Sequence, residues 1–216
     1  MKQIPEMVVR RLPLYLRKLD ALAEQGVTKV SSGELCRSLH LPPSLFRQDL
    51  DSFGGKFRKT ALSYEVAELQ EGIRGILGLH EELSAILIGA GKIGSALIEH
   101  FDFIMDGYTF LGAFDVRDEM IGTDIAGIRV YDVKELGEFI RQNKVDIAIL
   151  TVPYNAAQQI TDTLVDSGIR AIWNFTNEEL DVGESGVLVE NVHFSDSLMT
   201  LNYYLTHDRK PCERDA

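Results

Sequence analysis

Apolar residues recur at helical spacing in the first third of the chain and in short continuous runs in the remainder. The segment 7–25 carries Val and Leu side chains three and four positions apart, which predicts a helix disturbed near its start by Pro13 and ended by Gly26. From Ser84 onwards, short apolar runs alternate with polar helical stretches. Strands that alternate with helices predict an α/β fold with a parallel, doubly wound sheet.

A second helical pattern lies in VSSGELCRSLHLPPSLFRQDLDSFGG. Ser31 and Glu34 have the spacing of a capping box. Pro42-Pro43 interrupts the helical pattern before a further helix, SLFRQDLDSF. Two short helices joined by a tight turn predict a helix-turn-helix, in which the second helix enters the major groove of DNA. The side chains expected to meet the bases are those of Ser44, Arg47 and Gln48.

The segment GGKFRKTALSYEV predicts a β-hairpin, or wing, from which Lys56, Arg58 and Lys59 would reach phosphates. Asp49 is expected to contact the protein, because a carboxylate is unfavourable beside phosphates. The next stretch, VAELQEGIRGILGL at 66–79, is predicted to be a helix that connects two domains, with several glycines weakening the pattern. The alternative for this whole region is a small helical bundle used for dimerisation.

The stretch ILIGAGKIGSAL has the form of a strand, a glycine-rich turn and a helix. Gly89, Gly91 and Gly94 match G-x-G-x-x-G, in which the glycines allow a tight turn, close approach to a pyrophosphate and helix–strand packing. Asp115 ends the next strand, YTFLGAFDV, 21 residues after Gly94. An acid at that distance is expected to bond the ribose hydroxyls, which favours NAD(H) over NADP(H).

Three more strands are predicted, in VDIAILTVP, GIRAIWNFT and VLVENV, with a helix in AAQQITDTLVDSG. Ligands bind beyond the carboxyl ends of such strands. The expected cofactor-binding set is therefore Gly89, Ala90, Gly91, Lys92, Ile93, Gly94, Asp115, Val116, Thr151, Val152, Pro153, Asn174, Phe175 and Thr176.

Charge is unevenly distributed along the chain of 216 residues. The net charge is −11, yet residues 1–60 contain eleven Lys or Arg and only six Asp or Glu. A basic head on an acidic body favours a DNA-binding module, and chance clustering on a solvated helical face is the alternative.

Other features restrict the class of protein. The N-terminus has no long apolar core, and no apolar run is long enough to cross a bilayer, so we expect a cytoplasmic protein. Cys36 and Cys212 lie far apart without metal-ligand spacing, and Cys36 is interpreted as a small core residue. None of the five histidines lies in a catalytic motif, and little chain remains for a substrate domain. We therefore expect a cofactor that is sensed and not consumed, and no enzyme activity.

Several long motifs occur in an order that resembles the Rex redox-sensing transcriptional repressors over roughly residues 4–205. They are RRLPLYLRKLDAL, VSSGEL, FRQDLDSFG, IGAGKIGSAL, GAFDV, DIAILTVPYNAAQQITDTLVDSGIRAIWNF and LNYYL. The resemblance implies a homodimer with an N-terminal winged helix, a Rossmann domain and a C-terminal helix swapped into the partner. It also implies that NADH releases operator DNA, whereas NAD⁺ permits binding.

On that basis the predicted boundaries are 1–80 for the winged helix, 81–192 for the Rossmann domain, 193–207 for the swapped helix and 208–216 for a tail. The swapped helix would be SDSLMTLNYYL, with Ser195 as its cap and an apolar stripe that includes Leu198 and Leu205. The alternative is a helix packed on its own domain. The expected DNA-binding set is Ser31, Ser32, Ser44, Arg47, Gln48, Lys56, Arg58 and Lys59.

The chain also departs from the pattern it resembles. FRQDL replaces VRKDL in the recognition helix, and RKTALSY replaces GKRGVGY in the wing. Lys92 stands where the family usually has Asn, and Thr176-Asn177 where it has Ala-Pro. His193 stands where the family commonly has an aspartate that can pair with the arginine matching Arg17, and the family commonly has a tyrosine near the position of His100. Arg17, His100 and His193 therefore form the expected switch set.

These differences define a hypothesis and its alternatives. The leading hypothesis is a DNA-binding repressor regulated by NAD(H). The departures suggest a divergent Rex paralogue that reads a different operator, responds differently to NADH or has lost DNA binding. The alternatives are a Rex-like NAD(H)-binding dimer without DNA recognition and a small NAD-dependent oxidoreductase.

Overall fold

The computed structural model describes residues 4–53, 63–100 and 107–207. The chain forms two compact units, Met1–Glu81 and Glu82–Ala216. In the part of the chain that is described, no helix is both long and apolar enough to cross a membrane.

The first unit is helical with a minimal sheet. Its helices are α1 (Glu6–Val9), α2 (Leu12–Glu24), α3 (Ser32–Arg37), α4 (Pro43–Asp51) and α5 (Val66–Leu77), and its strands are β1 (Lys29–Val30) and β2 (Tyr64–Glu65). β1 and β2 pair antiparallel, with Val30 opposite Tyr64. The predicted helix over 7–25 is therefore two helices, and Pro13 lies in the first turn of the second, where its missing N–H costs no helical bond.

The core of the first unit lies between α2, α4 and α5. Tyr15 contacts Phe46 edge to face, with ring centroids 5.0 Å apart, and Phe46 contacts Tyr64 in the same way at 5.8 Å. The predicted helix over 66–79 is confirmed as α5, but it belongs to the core of the first unit and is not a separate connector between two domains. Its residues Val66, Leu69 and Ile73 are buried in this core, because positions i, i+3 and i+7 form one helical face.

The wing prediction can be followed only at its end. Within the predicted hairpin, Tyr64 and Glu65 form β2 and pair with β1, which precedes α3. Lys56, Arg58 and Lys59 lie outside the described residues.

The second unit is a seven-stranded sheet in the order β5-β6-β4-β3-β7-β8-β9. The strands are β3 (Leu83–Ile88), β4 (Tyr108–Asp115), β5 (Asp124–Ile125), β6 (Ile128–Asp132), β7 (Ile147–Leu150), β8 (Ala171–Asn174) and β9 (Leu188–Asn191). β5 alone is antiparallel to its neighbour, and the other strands are parallel. The chain places β4 on one side of β3 and β7 on the other, which is the doubly wound order.

Helices cover both faces of the sheet. They are α6 (Lys92–His100), a 3-10 turn (Val133–Glu135), α7 (Leu136–Gln142) and α8 (Tyr154–Asp166), followed by α9 (Phe194–Thr206). Ile86 and Ile88 of β3 pack on the face covered by α7 and α8, whereas Ala85 and Leu87 pack on the face covered by α6. This alternation follows from the two-residue period of a strand.

The helix α9 begins one residue earlier than predicted. His193 is its N-cap residue and makes no side-chain capping bond, so the predicted cap at Ser195 is wrong. Ser195 lies inside the first turn, with its hydroxyl 3.4 Å from the Asp196 carboxylate. No residue of α9 is buried.

Candidate functional site

The turn between β3 and α6 contains the three glycines of the predicted motif. Gly89 has φ +99°, and a Cβ on it would lie 2.8 Å from the carbonyl oxygen of Thr151. A Cβ on Gly94 would overlap the Gly89 carbonyl oxygen, whereas a Cβ on Gly91 would meet no atom within 4 Å. Gly89 and Gly94 therefore permit close packing of turn and helix, and Gly91 leaves an open backbone surface.

A pocket of about 450 Å³ opens beside this turn, at the carboxyl ends of β3, β4 and β7. This edge is the point at which the strand order reverses, where ligands of doubly wound sheets bind. Seven residues of the predicted cofactor set line the pocket: Gly89, Gly91, Asp115, Val116, Thr151, Val152 and Pro153.

The turn is fixed to the neighbouring strands by hydrogen bonds. The Gly89 N–H donates to the Phe114 carbonyl at 2.8 Å, and the Thr151 hydroxyl donates to the Gly89 carbonyl at 2.7 Å. The Gly91 carbonyl then accepts the Ser95 N–H at 2.8 Å, in the first turn of α6. The first N–H groups of a helix have no intrahelical partner, so this turn presents donors suited to a phosphate.

Not every predicted cofactor residue lines the pocket. Ala90, Lys92, Ile93 and Gly94 belong to the turn and the start of α6, where Lys92 and Ile93 are exposed.

The loop after β8 also lies outside the pocket lining, at Asn174, Phe175 and Thr176. The Asn174 side chain accepts from the Thr176 N–H and hydroxyl and donates to the Glu178 carbonyl and to Asn191. All of these bonds are internal, so the Asn174 and Thr176 side chains hold the loop to β9.

Asp115 forms an ion pair that was not expected from the sequence. The Arg117 Nε and backbone N–H donate to Asp115 Oδ1 at 3.0 and 2.9 Å, and Arg117 Nη2 donates to Oδ2 at 2.9 Å. Arg117 Nη2 also donates to the Ala90 carbonyl at 2.9 Å. Burial raises the pKa of Asp115, but the bonds from Arg117 outweigh it and hold that pKa below its usual range.

Arg117 is the functional candidate that the motif analysis missed. The one signal in the sequence is its position two residues after Asp115, the acid predicted to bond ribose, but its bonds to Asp115 and Ala90 are evident only in the folded turn. The other lining residues that were not predicted are apolar ones such as Ile88, Phe114, Val133 and Ile160.

In the first unit, the predicted recognition helix is α4. Ser44, Arg47 and Gln48 are exposed on it. Arg47 Nη1 donates to the Ser32 hydroxyl at 3.0 Å, and Ser32 is buried. Ser32 therefore supports Arg47 from within the fold.

The predicted capping box at the start of α3 is confirmed. The Glu34 N–H donates to the Ser31 hydroxyl at 3.2 Å, and the Ser31 N–H donates to the Glu34 carboxylate at 2.9 Å. The N-terminal end of α3 is therefore fixed by two reciprocal hydrogen bonds.

Asp49 anchors α4 to α2. Arg11 donates two hydrogen bonds to its carboxylate, both at 2.7 Å, and the Tyr15 hydroxyl donates a third at 2.7 Å. The Asp49 side chain is 2% exposed. Its negative charge is thus directed into the protein, away from the face that carries Arg47 and Gln48.

The three predicted switch residues lie in different surroundings. Arg17 is exposed on α2 and forms no ion pair with any of the residues that the structure describes. His100 is exposed at the end of α6, 3.9 Å from the carboxylate of Glu99. His193 Nε2 lies 3.3 Å from Oε1 of Glu179, and the His193 side chain is 20% exposed. Their role in a switch stays a prediction.

The fold and the two sites define a class: a helix-turn-helix protein with a Rossmann domain suited to a dinucleotide. Two family models match the chain. One is described as "Putative DNA-binding protein N-terminus" and covers residues 3–51, and the other as "CoA binding domain" and covers residues 80–178.

Full-length relatives make the family specific. The redox-sensing transcriptional repressor Rex of Caldicellulosiruptor saccharolyticus is 40% identical over 94% of this chain and 92% of its own. The Rex protein of Clostridium botulinum is 42% identical over 96% and 98%. The chain belongs to the Rex family of redox-sensing transcriptional repressors.

Solved structures agree with this assignment. The crystal structure of RSP, a Rex-family repressor, has a TM-score of 0.87 at 39% identity and covers 96% of both chains. The complex of RSP with β-NAD⁺ and operator DNA has a TM-score of 0.88, with 96% of this chain and 95% of that chain covered. RSP has also been solved with β-NADH.

Proposed function

We propose that this protein is a repressor that binds operator DNA as a homodimer and is controlled by the NADH/NAD⁺ ratio, with NADH releasing the DNA. The observation that carries the proposal is the presence of two sites in one chain. A recognition helix with an exposed Arg47 stands in the first unit, and a switch-point pocket containing Asp115 stands in the second. The relatives of this chain are regulators, and we infer that it is a cytoplasmic regulator and not an enzyme.

DNA recognition is assigned to the exposed face of α4. Arg can donate two hydrogen bonds to guanine, and Gln can bond the edge of adenine in the same bidentate way. Arg47, Gln48 and Ser44 are the exposed residues that support this role. The Asp49 anchor supports it further, because it fixes the rotation of α4 about its axis and removes a carboxylate from the DNA-facing side. We retain Ser31, Ser32, Lys56, Arg58 and Lys59 in the proposed DNA-binding set.

Dinucleotide binding is assigned to the pocket of the second unit. The open backbone at Gly91 and the start of α6 suit a pyrophosphate, and Asp115 suits ribose hydroxyls. Lys92, exposed at the start of α6, adds a positive charge on the phosphate side. The bound cofactor supplies the signal, because its nicotinamide ring is positively charged in NAD⁺ and neutral in NADH.

Dimerisation is assigned to α9. The large apolar residues of this helix are exposed, from 46% at Tyr203 to 81% at Leu205, except Tyr204, which is half-buried. A helix that exposes such a stripe in one copy needs a partner surface. We infer that the second copy of this chain covers it, as the swapped helix of the family resemblance implies.

The experiment is fluorescence anisotropy of the purified protein on the operator duplex bound by RSP, with a scrambled duplex as control. It is run with NAD⁺ and with NADH at two salt concentrations, because phosphate contacts make affinity fall with salt. We expect salt-sensitive binding of the operator that NADH weakens. If neither duplex binds while NADH binding persists, the DNA half of the proposal is wrong, and a NAD(H)-binding dimer without operator recognition replaces it.

A further inference from the structure

Arg117 lies beside Asp115, the residue proposed to bond the ribose hydroxyls of NAD(H). Its guanidinium bridges the Asp115 carboxylate and the Ala90 carbonyl of the glycine turn, with all side-chain bonds at 2.9–3.0 Å. It also lines the pocket. We propose that Arg117 is a specificity-determining residue that admits NADP(H) to the site alongside NAD(H). This inference rests on the proposed dinucleotide function.

A carboxylate at the end of the second strand of a Rossmann fold bonds the ribose hydroxyls and repels a phosphate on the 2′-oxygen. In this chain the carboxylate of Asp115 does not stand alone, because both of its oxygens accept bonds from Arg117. The pair is neutral at the point where a lone aspartate would be negative, so the repulsion of the extra phosphate is reduced.

Arg117 is much more exposed than the carboxylate to which it is bonded. The Arg117 side chain is 44% exposed, whereas that of Asp115 is 6% exposed. Asp115 is therefore fixed by the fold, and Arg117 can rotate toward solvent without opening the core. A guanidinium matches the oxygens of a phosphate with two parallel hydrogen bonds, so the same side chain can leave Asp115 and bind the 2′-phosphate.

Loss of the Arg117 guanidinium should affect NADH and NADPH differently. Ribose hydroxyls can bond Asp115 only when Arg117 releases at least one carboxylate oxygen. Removing the guanidinium should leave NADH affinity unchanged or improved, because the competition disappears. The same change should weaken NADPH, because the 2′-phosphate loses its cation and faces an unscreened carboxylate. A purely structural role for Arg117 would weaken both ligands equally.

The test is a fluorescence titration of full-length protein with NADH and with NADPH, comparing the wild type with Arg117→Gln. We expect the wild-type dissociation constants to lie within about tenfold of each other. In Arg117→Gln the ratio of the NADPH constant to the NADH constant should rise by about 10- to 100-fold, the range for one charge-assisted hydrogen bond. Arg117→Lys keeps the charge and should restore part of the NADPH affinity.

Arg141→Gln is the matched control, because Arg141 is an exposed arginine on α7 that contacts Ser167 and does not line the pocket. It should leave both constants as in the wild type. An unchanged ratio in Arg117→Gln, or an equal loss of both ligands, would overturn the inference while the dinucleotide function stands. Failure of the wild type to bind either ligand would overturn the proposed function and this inference with it.

Discussion

Replacing Asp49 by Asn should strongly destabilise the first unit. The carboxylate is 2% exposed and accepts three hydrogen bonds of 2.7 Å, two from Arg11 and one from Tyr15. Removing one partner of a buried ion pair costs about 3–5 kcal/mol. The Arg11 side chain is 21% exposed and can regain some water, so we expect a loss of about 2–4 kcal/mol.

The loss is large compared with the stability of a domain, which is about 5–15 kcal/mol. Tyr15→Phe removes one of the three bonds and leaves the ion pair, so it should cost about 1–2 kcal/mol. Asp51→Asn is the control, because Asp51 is exposed on the same helix, and its effect should stay within about 0.5 kcal/mol.

Urea unfolding followed by circular dichroism measures these differences. Trp173, the single tryptophan, lies on β8 in the second unit, and its fluorescence reports that unit separately. Asp49→Asn should lower the midpoint of the helical transition and leave the Trp173 transition in place. A shift no larger than that of Asp51→Asn would refute the view that Asp49 anchors the recognition helix.

Four further results are expected. Gly94→Ala should abolish NADH binding in a fluorescence titration, because its Cβ would overlap the Gly89 carbonyl oxygen. Gly91→Ala should keep the fold and weaken NADH binding, and normal binding by Gly94→Ala would contradict the packing argument. Leu198→Asp should shift the dimer toward monomer in sedimentation, and an intact dimer would show that α9 is not the interface. His193→Asp should strengthen the NADH-dependent release of DNA in anisotropy, and an unchanged release would remove His193 from the switch. The pKa of Asp115 is lowered in the folded protein, so its charge should stabilise the fold above the ordinary carboxyl pKa of about 3.9, and this stabilisation should be lost as the pH falls through the lower folded pKa. Urea unfolding of the wild type and of Asp115→Asn across the acid range measures the effect, and a stability difference independent of pH would contradict it.

Local patterns predicted much of the architecture, because the determining residues are close in sequence. The capping box of Ser31 and Glu34 spans three positions, and the glycine turn spans six. The apolar run that became β7 is buried on both faces of the sheet, so it is recognisable without knowledge of its partner strands.

Features that depend on distant or unusual residues escaped. The β5–β6 hairpin was not predicted, since its strand β5 has two residues and its turn places Ala126 at φ 48°, where glycine or asparagine is expected. The partners of Asp49 lie 34 and 38 positions away, so the sequence indicated an internal contact without identifying them. Arg117 was missed because a side chain's hydrogen bonds to Asp115 and Ala90 depend on the folded turn.

The most direct test of the central claim is whether the two sites are thermodynamically coupled. Two ligands that bind to one protein change each other's affinity by the same factor. The factor by which NADH weakens operator binding must therefore equal the factor by which the operator weakens NADH binding. The dissociation constant of NADH, measured with and without saturating operator duplex, should therefore rise in the presence of DNA by the factor seen in anisotropy. An NADH dissociation constant unaffected by operator would show that the two sites bind independently and would contradict redox control of this repressor.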